Sequence, residues 1–273
     1  ITTKQKIVYQ FSCNVYAIQA SANCGSALGP KCLRGSEGPP LEGDELTLEA
    51  GSLVIANALR FKGLWERAFS EDSSDRRAFL GKKCTKVVMM HRAGLYRHYE
   101  DVNNMVQVLE ILLWDAKACL VLLLPFHVEK LAPLEKLLTP ELISERLIKA
   151  SVSSLAVSLP KANISSSLSQ QKALPALGLT DAWDPEAADF SGVSDKGNGR
   201  VHLAGTLHWA SLELATQAGK GEADLDEENV EKAKLFYADH PFIIMVRDNI
   251  VSGVLLLMGA LDHAEGEVVH DEL

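Results

Sequence analysis

The stretch KLFYADHPFIIMVR, residues 234–247, decides how this chain is read. It predicts a β-strand, a break at Pro241 and a second, nearly all-apolar strand. In an extended chain alternate side chains share a face. Leu235, Tyr237 and Asp239 therefore point one way, and Phe236, Ala238 and His240 the other. At about 3.3 Å per residue the first three make a row roughly 13 Å long. A carboxylate beside apolar groups is costly unless a cation meets it. Two readings stand: an edge strand with a solvated aspartate, or a face that grips a partner.

Outward from this stretch, TQAGKGEADLDEENVEK at positions 216–232 is polar, and six of its residues from Glu222 to Glu231 are acidic, so it predicts a solvated loop. Upstream, positions 201–215 read as a long strand containing His202 and His208. LVIANALRF at 53–61 is a largely buried strand, followed by a tight turn at Lys62-Gly63 and anchored by Trp65 and Phe69. Positions 87–90 are a strand running on into HRAGLY at 91–96. Positions 105–113 and 119–125 form a hairpin, and 152–159 alternate as a strand ending at Pro160. Positions 129–138 and 141–148 repeat apolar residues at helical spacing, with Thr139-Pro140 as N-cap and first helical residue of the second. A short helix closes at Gly178, and Asp189–Gly192 is a turn.

The 273 residues suffice for one large or two small domains, and 47% apolar against 23% charged is a globular composition. A net charge of −9 argues against non-specific nucleic-acid binding and suits a basic partner. No apolar run is long enough to span a bilayer. The five cysteines, Cys13, Cys24, Cys32, Cys84 and Cys119, form no CxxC pair, so neither a zinc ribbon nor a thioredoxin-type site is supported. There is no P-loop, GxGxxG, HExxH or GxSxG, which argues against an enzyme, and no cofactor is implied. Asn163-Ile164-Ser165 is a glycosylation sequon, and His270-Asp271-Glu272-Leu273 is a retention signal of the endoplasmic reticulum. Both operate only in the secretory lumen. The opening residues read poorly as a signal peptide, and an entry signal upstream of Ile1, or a fragment, is expected.

Phe236, the run His240-Pro241-Phe242 and the apolar strand to Gly259 resemble the C-terminal signature of serpins. NALRFKGLWERAF at 57–69 and LPKANISSSLSQQKALPALGLTDAWDPEAADFSGVS at 159–194 resemble the same family in the same order. Within it, LFYADHPF with a terminal HDEL is similar to the collagen-binding chaperone serpins of the endoplasmic reticulum. The resemblance covers residues 48–273, a partial serpin domain in which 216–232 stand for the reactive-centre loop; residues 1–47 stay unassigned. It implies an α+β serpin-like fold of mostly antiparallel sheets with helices, lacking the N-terminal helices and some central-sheet strands.

The resemblance further implies that Asp239 receives an arginine of collagen, that Leu235 and Tyr237 make apolar contacts, and that Arg92 is another contact. An ordinary surface ion pair is the plain alternative for Arg92. It implies that His127, His208 and His240 tune release as compartments acidify, each with a structural role as the alternative. Phe126 stands where that group has a second histidine. The expected partners are the collagen triple helix and the retention-signal receptor, with neither nucleic acid nor membrane insertion. Protease inhibition is the competing function. It requires the loop to enter a sheet, and Gly219-Lys220-Gly221-Glu222 replaces the alanine-rich hinge that does so. A divergent paralogue without collagen binding is the third reading.

Overall fold

The computed structural model describes residues 9–19, 52–113, 116–169, 171–192, 201–218, 232–249 and 254–268. The chain divides into two compact units, one holding residues 1–9, 62–164 and 213–273, the other residues 10–61 and 165–212.

The strands of the larger unit are β3 (Ser70–Leu80), β4 (Cys84–Asp101), β5 (Val106–Leu112), β6 (Ala118–Pro125), β7 (Ser151–Pro160), β10 (Lys234–Tyr237), β11 (Phe242–Asp248), β12 (Leu255–Leu261) and β13 (Glu267–Val268). They form one sheet in the order β10-β7-β4-β5-β6-β11-β12, with β3 and β13 also pairing with β4. Every pairing is antiparallel except β10 with β7. Apolar sequence selects the centre: all eight residues of β6, ACLVLLLP, are buried between β5 and β11. The core cluster draws Val106 and Val108 from β5, Val121 and Leu123 from β6, and Ile243 and Met245 from β11. Cys119 lies in this core as a free thiol, pushed up to about 12 chiefly by burial, with Glu110 adding to the effect.

Two helices, α1 (Leu131–Leu137) and α2 (Pro140–Lys149), cover this cluster with Leu134 and Leu147. α2 starts where its sequence says it should: the Thr139 hydroxyl accepts from the Leu142 N–H at 3.2 Å, with Pro140 next in line. Arg146 of α2 is 1% exposed and its Nε donates to Asp101 at the end of β4, 2.9 Å away. Burial pushes the Asp101 carboxyl up, but hydrogen bonds from Asn104 and Arg146 outweigh it and hold the group below its ordinary range.

In the smaller unit a four-stranded sheet runs β1 (Tyr9–Gln19), β2 (Ser52–Gly63), β9 (His202–Leu214), β8 (Ala162–Ser169). Leu53, Val201 and Leu203 are its buried cluster, with Ile55, Ala182, Trp183 and Phe190 packed on it. The short helix α3 (Ala173–Ala176) closes at Gly178, whose φ of +98° suits glycine. Two sequence expectations change here. Residues 9–19, inside the segment left unassigned, form a strand beside β2, because an unpaired sheet edge recruits any extended neighbour able to complete its ladder. Lys62-Gly63 is no turn: β2 runs through it, and the Lys62 ammonium pairs with Glu213 at 2.7 Å.

Candidate functional site: an open face at the edge of the sheet

β10 is a terminal strand of the larger sheet and pairs only with β7 on the path, with Leu235 opposite Ala156 and Tyr237 opposite Ser158. The alternation read from the sequence is present. Phe236 and Ala238 are fully buried and His240 nearly so, whereas Leu235 is 63% exposed and Tyr237 and Asp239 are half-buried. The strand ends at Tyr237, yet the pattern continues through Asp239. Two backbone bonds hold the extension: the Ala238 N–H donates to Ser158 at 2.9 Å, and the Leu80 N–H to the Asp239 carbonyl at 2.7 Å.

The Asp239 side chain is 33% exposed and accepts from His240 Nδ1 at 2.7 Å. The other ring nitrogen of His240, Nε2, lies 2.6 Å from the Pro125 carbonyl. Both ring nitrogens thus face acceptors, and a neutral imidazole can donate to only one of them.

Beside this row lies a polar network. Arg77 Nε donates to Asp75 at 2.6 Å, His91 Nε2 meets the other Asp75 oxygen at 2.8 Å, and His91 Nδ1 meets the Ser158 hydroxyl at 2.8 Å. The network reaches Tyr237: burial, above all, raises its phenol, the Asp239 and Asp75 carboxylates add to this, and the Arg77 guanidinium opposes it. The phenol is a neutral hydrogen-bonding group at any physiological pH.

Arg92 is not part of this face. It pairs with Val157 on β7, and Val157 pairs with Phe236 on β10, so by register Arg92 shares the side of the buried Phe236. Its guanidinium lies over the Tyr96 ring, 5.8 Å from the centroid, and donates to the Arg67 carbonyl. The arginine placed beside Tyr237 is Arg77, which the sequence reading passed over. RRAF at 76–79 carries no local mark of it, because only the pairing of β3 with β4 brings it there.

Of the histidines singled out, His240 is hydrogen-bonded to the row through Asp239. His127 is exposed two residues after Pro125, ahead of a single 3₁₀ turn, and His208 is half-buried on β9 in the other unit. The reading missed His98, which is 4% exposed, meets Gln107 Oε1 at 3.3 Å and stands edge-on to Phe236 with centroids 6.4 Å apart. Burial lowers its ring below the usual histidine value, with Lys234 adding, against Gln107 and Glu100. Asn163 is exposed on β8. The retention signal 270–273 and the loop 219–231 lie outside the described residues. The start of that loop is held: Trp65 Nε1 donates to the Ala215 carbonyl, the Trp65 N–H to Gln217 at 3.0 Å, and the Phe69 N–H to Thr216 at 3.1 Å. Among the described residues no helix is long and apolar enough to cross a membrane.

The chain is 39% identical over 226 residues to Serpin H1 of Mus musculus, covering 82% of this chain and 53% of that protein. It is 30% identical over 230 residues to antithrombin-III of Ovis aries, covering 81% and 48% respectively. It therefore spans about half the length of these curated relatives. Among solved structures, uncleaved ovalbumin superposes with a TM-score of 0.77 over 96% of this chain and 76% of that one, at 21% identity, which speaks to fold alone. The α+β fold with mixed, mostly antiparallel sheets is a serpin fold. With the family described as "Serpin (serine protease inhibitor)" matching residues 45–263, the chain belongs to the serpins.

Proposed function

We propose that this chain is a non-inhibitory serpin that binds the collagen triple helix and chaperones it in the lumen of the endoplasmic reticulum. The observation that carries the reading is the Asp239 carboxylate, partly exposed at the end of a row with Tyr237 and Leu235 on an open sheet face. A triple helix keeps glycine at its axis and turns its other side chains outward. An outward guanidinium is a directional donor for a carboxylate, and the prolyl ridge beside it suits Leu235 and the Tyr237 ring. The resemblance of LFYADHPF to collagen-binding chaperone serpins and the 39% identity to Serpin H1 support the same reading.

Arg77 takes the place the sequence reading assigned to Arg92, as a basic group beside the docked rod. Release follows from His240. A cationic ring between Asp239 and the Pro125 carbonyl would compete with an incoming guanidinium for the carboxylate. His270–Leu273 would return the protein after release, and glycosylation at the exposed Asn163 fits a luminal life.

The test is retention of the chain at neutral pH on two immobilised triple-helical peptides that differ by one Arg→Gln substitution. Retention on the arginine peptide alone is expected; equal retention on both, or none on either, overturns the reading. Protease inhibition is favoured by one observation, the 30% identity to antithrombin-III. Against it stand the anchored Ala215–Ala218 and the charges of Lys220 and Glu222, each costing several kcal/mol if buried in a sheet. An SDS-stable complex with a serine protease would establish inhibition instead.

A further inference from the structure

Residues 262–268, which lead into the retention signal, are fastened to the hairpin between β3 and β4. The Lys82 N–H donates to the Asp262 carbonyl at 3.3 Å, and the Lys82 ammonium pairs with the Asp262 carboxylate at 2.5 Å. Ala264 is buried, and its carbonyl accepts from the Thr85 hydroxyl at 2.9 Å. β13 then pairs with β4, Glu267 opposite Lys86 and Val268 opposite Thr85. Two glycines permit the close approach: a Cβ at Gly81 would run into the Asp262 carbonyl oxygen, and one at Gly266 into the Lys86 carbonyl oxygen.

This seat follows from where β7 stops. His91 on β4 pairs with Ser70 of β3 on one side and with Ser158 of β7 on the other. Thr85 and Lys86 still pair with β3, through Phe79 and Ala78, so β13 takes the edge of β4 that β7 holds from Met89 onward. β7 ends at Pro160, which has no N–H to carry the ladder further, and the Lys161 N–H donates to the Val88 carbonyl at 2.9 Å. Beyond that point β4 offers an open ladder, and β13 fills it. Glu267 opposite Lys86 also sets unlike charges across the pair.

Val269 alone separates β13 from His270. One residue reaches at most about 3.6 Å, whereas a four-residue signal is about 13 Å long when extended. A receptor that reads four side chains and a terminal carboxylate has to close around them. With β13 in its ladder, the rim of such a receptor meets the sheet before the signal is fully seated. Freeing residues 265–268 adds about 13 Å of reach and leaves Ala264 in place.

We propose that β4 and the retention-signal receptor compete for the tail: the receptor captures chains whose β13 has left β4, so the seat at Thr85, Lys86 and Gly266 sets how strongly the protein is retrieved. This rests on the luminal reading above and adds to it a control on the signal. The size of the control follows from the docked fraction. With nine chains in ten docked, the apparent affinity for the receptor is about tenfold below that of an unfastened tail.

The experiment measures binding of the labelled full chain to membrane vesicles carrying the retention-signal receptor. Lys86→Cys/Glu267→Cys places two thiols on directly opposed, exposed residues, close enough for a disulfide that locks β13 down. Gly266→Ala pushes β13 off, and a third form carries a Gly-Ser spacer of about eight residues after Val269. The oxidised lock should bind at least about tenfold more weakly than the same sample after reduction, with reductant leaving the wild type unchanged. Gly266→Ala and the spacer form should both bind about tenfold more tightly than the wild type, and the spacer should make the lock irrelevant. Equal binding of the locked and reduced forms, with the spacer form no tighter than the wild type, overturns the inference and leaves the luminal reading standing. No binding by the wild type or the spacer form, while a free peptide ending in His-Asp-Glu-Leu binds the same vesicles, overturns both.

Discussion

Replacing Asp239 by asparagine separates docking from folding. The amide is nearly isosteric with the carboxylate and keeps one carbonyl oxygen for the His240 Nδ1 donor 2.7 Å away. What it loses is the charge. The effect on the fold is small, because the Asp239 side chain is a third exposed and an ion pair of that kind contributes at most about 1 kcal/mol. For a domain of this size that is a shift of about 2–4 °C in Tm. The effect on binding is larger. A hydrogen bond to a charged group is worth about 1.5–3 kcal/mol, and at 1.4 kcal/mol per decade the loss is about 10- to 150-fold in Kd. Anisotropy titrations of a single-arginine triple-helical peptide read the loss, and a melt on the same samples reads the fold. Added salt should weaken the wild type more than the variant, since only the wild type presents the carboxylate. An Asp239→Asn affinity within twofold of wild type, with the melt unchanged, refutes the proposed docking chemistry.

Three further outcomes follow from the packing. Arg146→Met leaves Asp101 buried without its cation and costs about 3–5 kcal/mol, whereas the double variant Arg146→Met/Asp101→Leu recovers most of it in urea titrations; an additive double variant would sink this account of the pair. His98 is held neutral in the fold, so its contribution is complete above its unfolded value of about 6.5 and is lost as pH falls from there through the lower folded value. His98→Phe should flatten that part of the stability-against-pH curve, and an identical slope in the variant rules the assignment out. Thr139→Ala removes the cap on α2 and costs about 1 kcal/mol by chemical denaturation; no change would mean that the hydroxyl adds nothing at the helix start.

Much of the site was legible before any coordinates. Leu235, Tyr237 and Asp239 share a face because side chains alternate along an extended backbone whatever surrounds it. The seal beneath them, Phe236 and Ala238, follows from the same period, and the start of α2 was written in Thr139-Pro140. The resemblance carried the family and the order of its motifs. Arg92 shows where such reading stops. MMHRAGLY looks like part of the site, but the β4–β7–β10 register sets its arginine on the buried side, and Arg77 comes to Tyr237 from a strand about 160 residues earlier in the chain. His98 was missed for the same reason, since its ring contact is with Phe236.

The sequence alone determined which side chains of each strand lie together, because a period of two is a property of the backbone and needs no partner. Only the tertiary structure decided which strands became neighbours and in what register: that Ala93 and Leu95 on β4 continue the row begun by Leu235, and that residues 9–19 complete the smaller sheet. Those choices are made by competition among distant segments for the same ladder hydrogen bonds and the same buried area. A shift of one residue would put Ala93 and Leu95 inside and Arg92 outside, and no local pattern records which register wins.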